Sequence, residues 1–262
     1  MDDSMIGNVT DVAPRQRAYP RLPIVMGTTL VAGLAWALLV FGGGHVHHAG
    51  NQLTTATRLF ADFGFLFTMW SIMAIAMMLP IALPAILTFA DIQRAGAAKG
   101  EDAVSPALFA AGYLCAWLAF GLAAATAQWG THIWVMAAPA IADNGWLFSG
   151  LLLLAAGLYQ WTPLKNACLI RCRAPMQFFL THWRTGNRGA VRMGFRYGVY
   201  CVGCCWLLMT LMLISGMFNL LGMALLTVYM LFEKIVPDGR KFSRAAGLAA
   251  VLGGCILLLK LA

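Results

Sequence analysis

Runs of about twenty apolar residues constrain this chain more than any other feature, because a helix needs roughly 20 such residues to cross a bilayer. Seven runs can be drawn: Leu22–Phe41, Gly64–Ala90, Pro106–Gln128, Trp146–Pro163, Phe195–Ser215, Met217–Ile235 and Ala245–Leu261. Little chain remains between them, and 61% of the residues are hydrophobic. The expectation is therefore an all-α, polytopic membrane helix bundle with about seven transmembrane helices. Residues 1–21 read as a polar cytoplasmic tail and 22–262 as a single transmembrane domain, with no room for a separate soluble one. The first run lacks a small-residue cleavage site and reads as a retained anchor.

Charge sets the expected orientation. With the N-terminus inside, Arg15, Arg17, Arg21, Arg94, Lys99, Lys165, Arg171, Arg173, Arg184, Arg188, Arg192, Arg196, Lys234, Arg240, Lys241 and Arg244 all fall on the cytoplasmic side. Only Arg58 and Lys260 fall outside, so the positive-inside rule is satisfied. The net charge of +8 then marks topology and attraction to anionic lipid heads, and calls for no nucleic acid. The expected location is a bacterial inner membrane, with the bilayer as the chief partner.

Chemistry concentrates in the fifth run, at Cys201-Val202-Gly203-Cys204-Cys205. On a helix, positions three and four apart are neighbours, so these three thiols share one face. At 1.5 Å per residue from Phe195 they lie about 9–15 Å deep. Gly203 admits another backbone. The connection before this run carries Cys168 and Cys172, an i,i+4 pair if helical, beside Lys165, Arg171 and Arg173, cations that favour thiolates. None of the seven Cys falls in an expected outer loop, which argues against a disulfide framework.

Softer donors accompany the thiols. Met69, Met73 and Met77 recur every four residues in the second run, close to Pro80 and Pro84. Those prolines free backbone carbonyls that neighbours must satisfy. Met209 and Met212 continue the face of Cys205, and Asn219, Met223, Leu226, Met230 and Glu233 form a stripe on the sixth run. A carboxylate at membrane depth is costly and is usually paired or functional. Tyr113 and Trp117 read as an interfacial aromatic belt. His45, His47 and His48 could hold Zn²⁺ or Cu²⁺ loosely, or simply sit at the interface.

A candidate metal site is thus drawn from Cys201, Cys204, Cys205, Cys168 and Cys172, with Met77, Met73 and Glu233 as further donors. Thiolates and thioethers select Cu(I) over hard cations, and Zn²⁺ is the rival for an all-thiolate set. The same residues carry a resemblance. Trp70…Met73…Ala76-Met77-Met78-Leu79-Pro80…Pro84, Tyr159-Gln160…Pro163-Leu164-Lys165…Cys168…Cys172-Arg173…Pro175, Gly203-Cys204-Cys205-Trp206…Met209 and Glu233-Lys234 are similar to a bacterial family of unknown function described as predicted metal-binding integral membrane proteins. The resemblance covers about Trp70 to Val236 and implies a multi-pass inner-membrane protein that binds metal.

Two functions follow as expectations. One is metal handling, as a transporter or metallochaperone-like factor for copper. The other is a membrane thiol-disulfide oxidoreductase using Cys201 and Cys204. Met-rich faces favour the first, since thioethers contribute nothing to disulfide exchange. Bis-His haem ligation is excluded because no His lies inside a run. No nucleophile–base pair, phosphate loop or ATP motif is visible, so the sequence points to binding more than to catalysis.

Overall fold

The structure is a computed structural model and describes residues 20–42, 55–137, 145–215, 219–236 and 238–259. Among these residues every regular element is helical: α1 (Arg21–Gly42), α2 (Thr55–Ala98), α3 (Pro106–Ala137), α4 (Gly145–Tyr159), α5 (Pro163–Arg173), α6 (Pro175–His182), α7 (Gly186–Thr210), α8 (Met212–Ser215), α9 (Leu220–Ile235) and α10 (Gly239–Leu259). The expected histidine cluster at residues 45–48, the N-terminal tail to residue 19 and the turn at Gly216 lie outside the described residues.

The expectation of about seven spans needs correction. Among the described residues, four helical stretches are long and apolar enough to cross a membrane: Arg21–Phe41, Asp62–Ala98, Pro106–Thr131 and Gly239–Leu259. A fifth exists only if α4 and α5, which meet at 64°, count together as one broken span. The break falls at the last residues of the fourth expected run, and α5 lies in what reads from the sequence as the connection after it. Thr162 caps α5 by accepting a hydrogen bond from the Lys165 backbone N–H, and Pro163 occupies the first helical position. The expected fifth run belongs to α7, whose first three turns carry Arg188, Arg192 and Arg196, and the sixth to α9, which has only 16 residues. Apolar composition alone did not separate a buried or broken helix from a spanning one.

Helix α2 runs unbroken through Pro80 and Pro84. Proline removes the N–H that would bond the carbonyl four residues back. For Pro80 that carbonyl is Ala76 O, and Trp36 Nε1 of α1 donates to it at 3.1 Å. The neighbour required by the sequence argument is therefore a tryptophan on the first helix.

The bundle core is built by α3 lying between α2 and α7, with α5 on α7, α1 on α2, and α4 on α10. α3 and α7 approach as closely as backbones allow. A Cβ added to Gly194 would run into Phe109 O, and one added to Gly198 would lie 2.8 Å from Tyr113 O. Short α6 closes the near end with Phe178 and Phe179, which meet Tyr197 at 5.3 Å and Phe109 at 5.3 Å between ring centroids. Gly186, at φ 76°, turns the chain from α6 into α7.

A buried three-thiol centre

The thiol helix forms as its spacing predicts. Cys201, Cys204 and Cys205 all lie on the buried face of α7. The 64° break swings α5 against that face and brings two more sulfurs with it. Lys165, Cys168, Leu169 and Cys172 are the buried residues of α5, a stripe at helical spacing. Gly203 supplies the clearance: a Cβ there would lie 2.8 Å from Cys168 Sγ. Tyr159 OH, just before the break, donates to Gly203 O and ties α4 to α7.

The Sγ atoms of Cys172, Cys201 and Cys204 all lie within 4.8 Å of one another, and all three residues are buried. Cys172 and Cys204 are 4.0 Å apart. A metal equidistant from three thiolates at about 2.3 Å sets them roughly 4.0 Å apart, so the triangle is already close to the size a metal requires. Cys205 turns its thiol to Cys201 O at 2.8 Å, and Cys204 donates to the same carbonyl at 3.0 Å. Cys168 lies against Gly203 at the edge of the group. Met73, Met77, Met78 and Met209 belong to the core that encloses these thiols. The candidate thiols and thioethers therefore share one core, and three thiols form its closest group.

Glu233 stands elsewhere. Its carboxylate is 2.6 Å from Lys165 Nζ, with both side chains almost fully buried. Lys165 also donates to Gln160 Oε1, which accepts from Ser243 Oγ at 2.8 Å. α5 thus turns its sulfurs toward α7 and its lysine toward α9 and α10. The three cations expected to stabilise thiolates are otherwise engaged: Lys165 with Glu233, Arg171 over the Tyr200 ring at 4.9 Å, and Arg173 with the Val236 carbonyl.

The cation that reaches a thiol is Lys234, whose Nζ lies 3.0 Å from Cys201 Sγ. Tyr113 OH sits 3.1 Å from the same sulfur and 3.1 Å from Met78 O. The interfacial-belt reading of Tyr113 and Trp117 is therefore wrong, since both are fully buried. Tyr197 OH donates to Cys172 O at 2.8 Å and fixes the end of α5. Lys234 had a sequence signal, an ionisable residue in an apolar run beside Glu233. Tyr113 had none, because its role depends on the close approach of α3 and α7.

Residues 67–257 match the family model PpoB2, described as copper chaperone. The chain belongs to that family. The match takes in α3, α5, α7 and α9 whole, and with them every thiol of the centre. No curated protein and no solved structure matches the chain.

Proposed function

We propose that this protein is a membrane-embedded Cu(I) chaperone that holds its cargo on Cys172, Cys201 and Cys204. The observation that carries the reading is the triangle of buried sulfurs drawn from two helices. Membership of a copper chaperone family supports it independently. Soft thiolates select Cu(I), and burial at 5% exposure or less keeps water and oxidants away. Cu(I) on three thiolates leaves two net negative charges, and Lys234 offsets one of them. Cys168 is the most exposed of the five clustered thiols at 9% and serves as the entry or exit ligand. Zn²⁺ is the competing cargo and needs a fourth donor to complete a tetrahedron.

The thiol-disulfide alternative gains less support. Exchange requires an attacking thiolate to reach a sulfur, and the three thiols of the centre are enclosed. We place the protein in the inner membrane with its N-terminus and the arginine-bearing start of α7 toward the cytoplasm, where Cu(I) stays reduced.

Anaerobic titration of purified protein against a chromogenic Cu(I) chelator tests the reading. One Cu(I) should bind per chain, with X-ray absorption reporting three sulfur neighbours. Replacing Cys172, Cys201 or Cys204 by Ser should weaken binding at least tenfold, whereas Cys115→Ser and Cys255→Ser should not. Met77→Leu separates the metals, because it should weaken Cu(I) if the thioether assists and leave Zn²⁺ unchanged. Undiminished binding after all three central thiols are removed would end the proposal.

A further inference from the structure

The outer face of α7 bears a pattern that the thiol centre does not use. Arg188, Arg192 and Arg196 recur every four residues, and all three are exposed. At 100° per residue they fall in one sector of the helix with Phe195, Val199 and Trp206. Those three apolar residues are exposed as well. The combined sector is about 100° wide, and Cys201 lies about 180° from Arg192 on the opposite side. One face of α7 therefore holds the thiols, while the other runs from three arginines into a strip of apolar side chains.

Topology asks only for positive charge near the membrane and does not ask for it to be aligned. Like charges at i,i+4 on a helix repel each other and destabilise it. No carboxylate among the described residues relieves that repulsion. Between Asp143 and Glu233 the sequence contains no acidic residue. Among the described residues, Arg184, Arg188, Arg192 and Arg196 have no carboxylate partner. Arg184, Arg192 and Arg196 instead line a cleft of 370 Å³ with Thr181, His182 and Trp183. A second cleft, of 470 Å³, adjoins it through Trp183, Arg184 and Arg192 and adds Arg188. Arginine forks match phosphate oxygens in pairs.

We infer that this face of α7 is a binding site for an anionic phospholipid. The phosphate sits among Arg184, Arg192 and Arg196, and an acyl chain lies along Phe195, Val199 and Trp206. The order of charge and then apolar surface along a single helix face is the order of head and tail in such a lipid. A soluble anion would use the arginines and leave the strip unexplained, and an acidic protein segment would do the same. The inference does not depend on the identity of the metal.

The test uses the full chain, purified in detergent and stripped of lipid, with phosphatidylglycerol and phosphatidylcholine of identical acyl chains as probes. Native mass spectrometry should show phosphatidylglycerol retained and phosphatidylcholine lost. Each basic residue near an anionic lipid is worth about fivefold in affinity, so the R188Q/R192Q/R196Q protein should bind phosphatidylglycerol on the order of a hundredfold more weakly. Should that variant not fold, Arg192→Gln alone should lose about fivefold. Wild-type competition needs no variant: millimolar glycerol phosphate and polyglutamate should both fail to displace the lipid. Equal retention of the two lipids, or unchanged binding by the arginine variants, would overturn the inference. So would displacement by glycerol phosphate, which would mark a plain anion site, or by polyglutamate, which would mark a protein-docking surface.

Discussion

Lys234→Met tests whether the centre is built to carry negative charge. Lys234 Nζ is 3.0 Å from Cys201 Sγ, and at that distance an effective dielectric near 20 gives a gross attraction of about 5 kcal/mol for a thiolate. Removing the ammonium from water opposes much of this. A hydrogen bond to a charged group is worth about 1.5–3 kcal/mol net, so the variant should bind Cu(I) about 10- to 150-fold more weakly. Methionine preserves length and apolar bulk, and thermal unfolding of the metal-free variant should stay within a few degrees of wild type. Lys234→Arg should recover most of the affinity. The assay is anaerobic competition with the chromogenic chelator, and X-ray absorption should still count three sulfurs in the loaded variant. Affinity unchanged within twofold in Lys234→Met, with unchanged thermal stability, would refute the charge argument and reduce Lys234 to a packing residue.

Two further predictions concern the frame that holds the centre. Glu233→Gln leaves Lys165 as an uncompensated buried charge and should cost about 3–5 kcal/mol in chemical denaturation, whereas Lys165→Met/Glu233→Leu together should recover most of that loss; equal loss in the single and double variants would contradict the pairing. Trp36→Phe orphans the Ala76 carbonyl freed by Pro80 and should cost about 1 kcal/mol in the same assay, and Pro80→Ala in that background should return it by restoring the helical N–H.

Periodicity made the helices legible, and the close residue spacing on α7 made the shared thiol face legible too. Span counting went further than the pattern permitted. The run at Trp146–Pro163 covers α4 and stops at Thr162 and Pro163, the capped start of α5, where the chain turns by 64°. A threonine followed by proline is a helix-start signal in its own right, and it marks α5 as a short helix within what reads from composition as a polar connection. The run at Phe195–Ser215 is apolar on both faces, with Phe195, Val199 and Trp206 exposed on one, and Gly198 and the cysteines packed by α3 and α5 on the other. Hydropathy sums over both faces and so cannot tell a helix buried by protein from one buried by lipid.

The contacts of the centre were harder to read because they depend on distances across the bundle. Glu233 and Lys234 are adjacent, and their positions in the chain imply the same depth. They nonetheless serve different chemistries, Glu233 closing an ion pair with Lys165 and Lys234 reaching Cys201. Helix geometry accounts for the split: neighbours are about 100° apart on an α-helix, so α9 can present one side chain to Lys165 and the next to α7. The spacing of Lys165 and Cys172 on α5 completes the arrangement, since both lie on its buried stripe two turns apart. A single helix, swung inward at one break, thereby supplies the cation that neutralises Glu233 and a sulfur of the thiol triangle. Any substitution that straightens the α4–α5 break would be felt at both sites together, and this coupling follows from α5 being short, capped and shared.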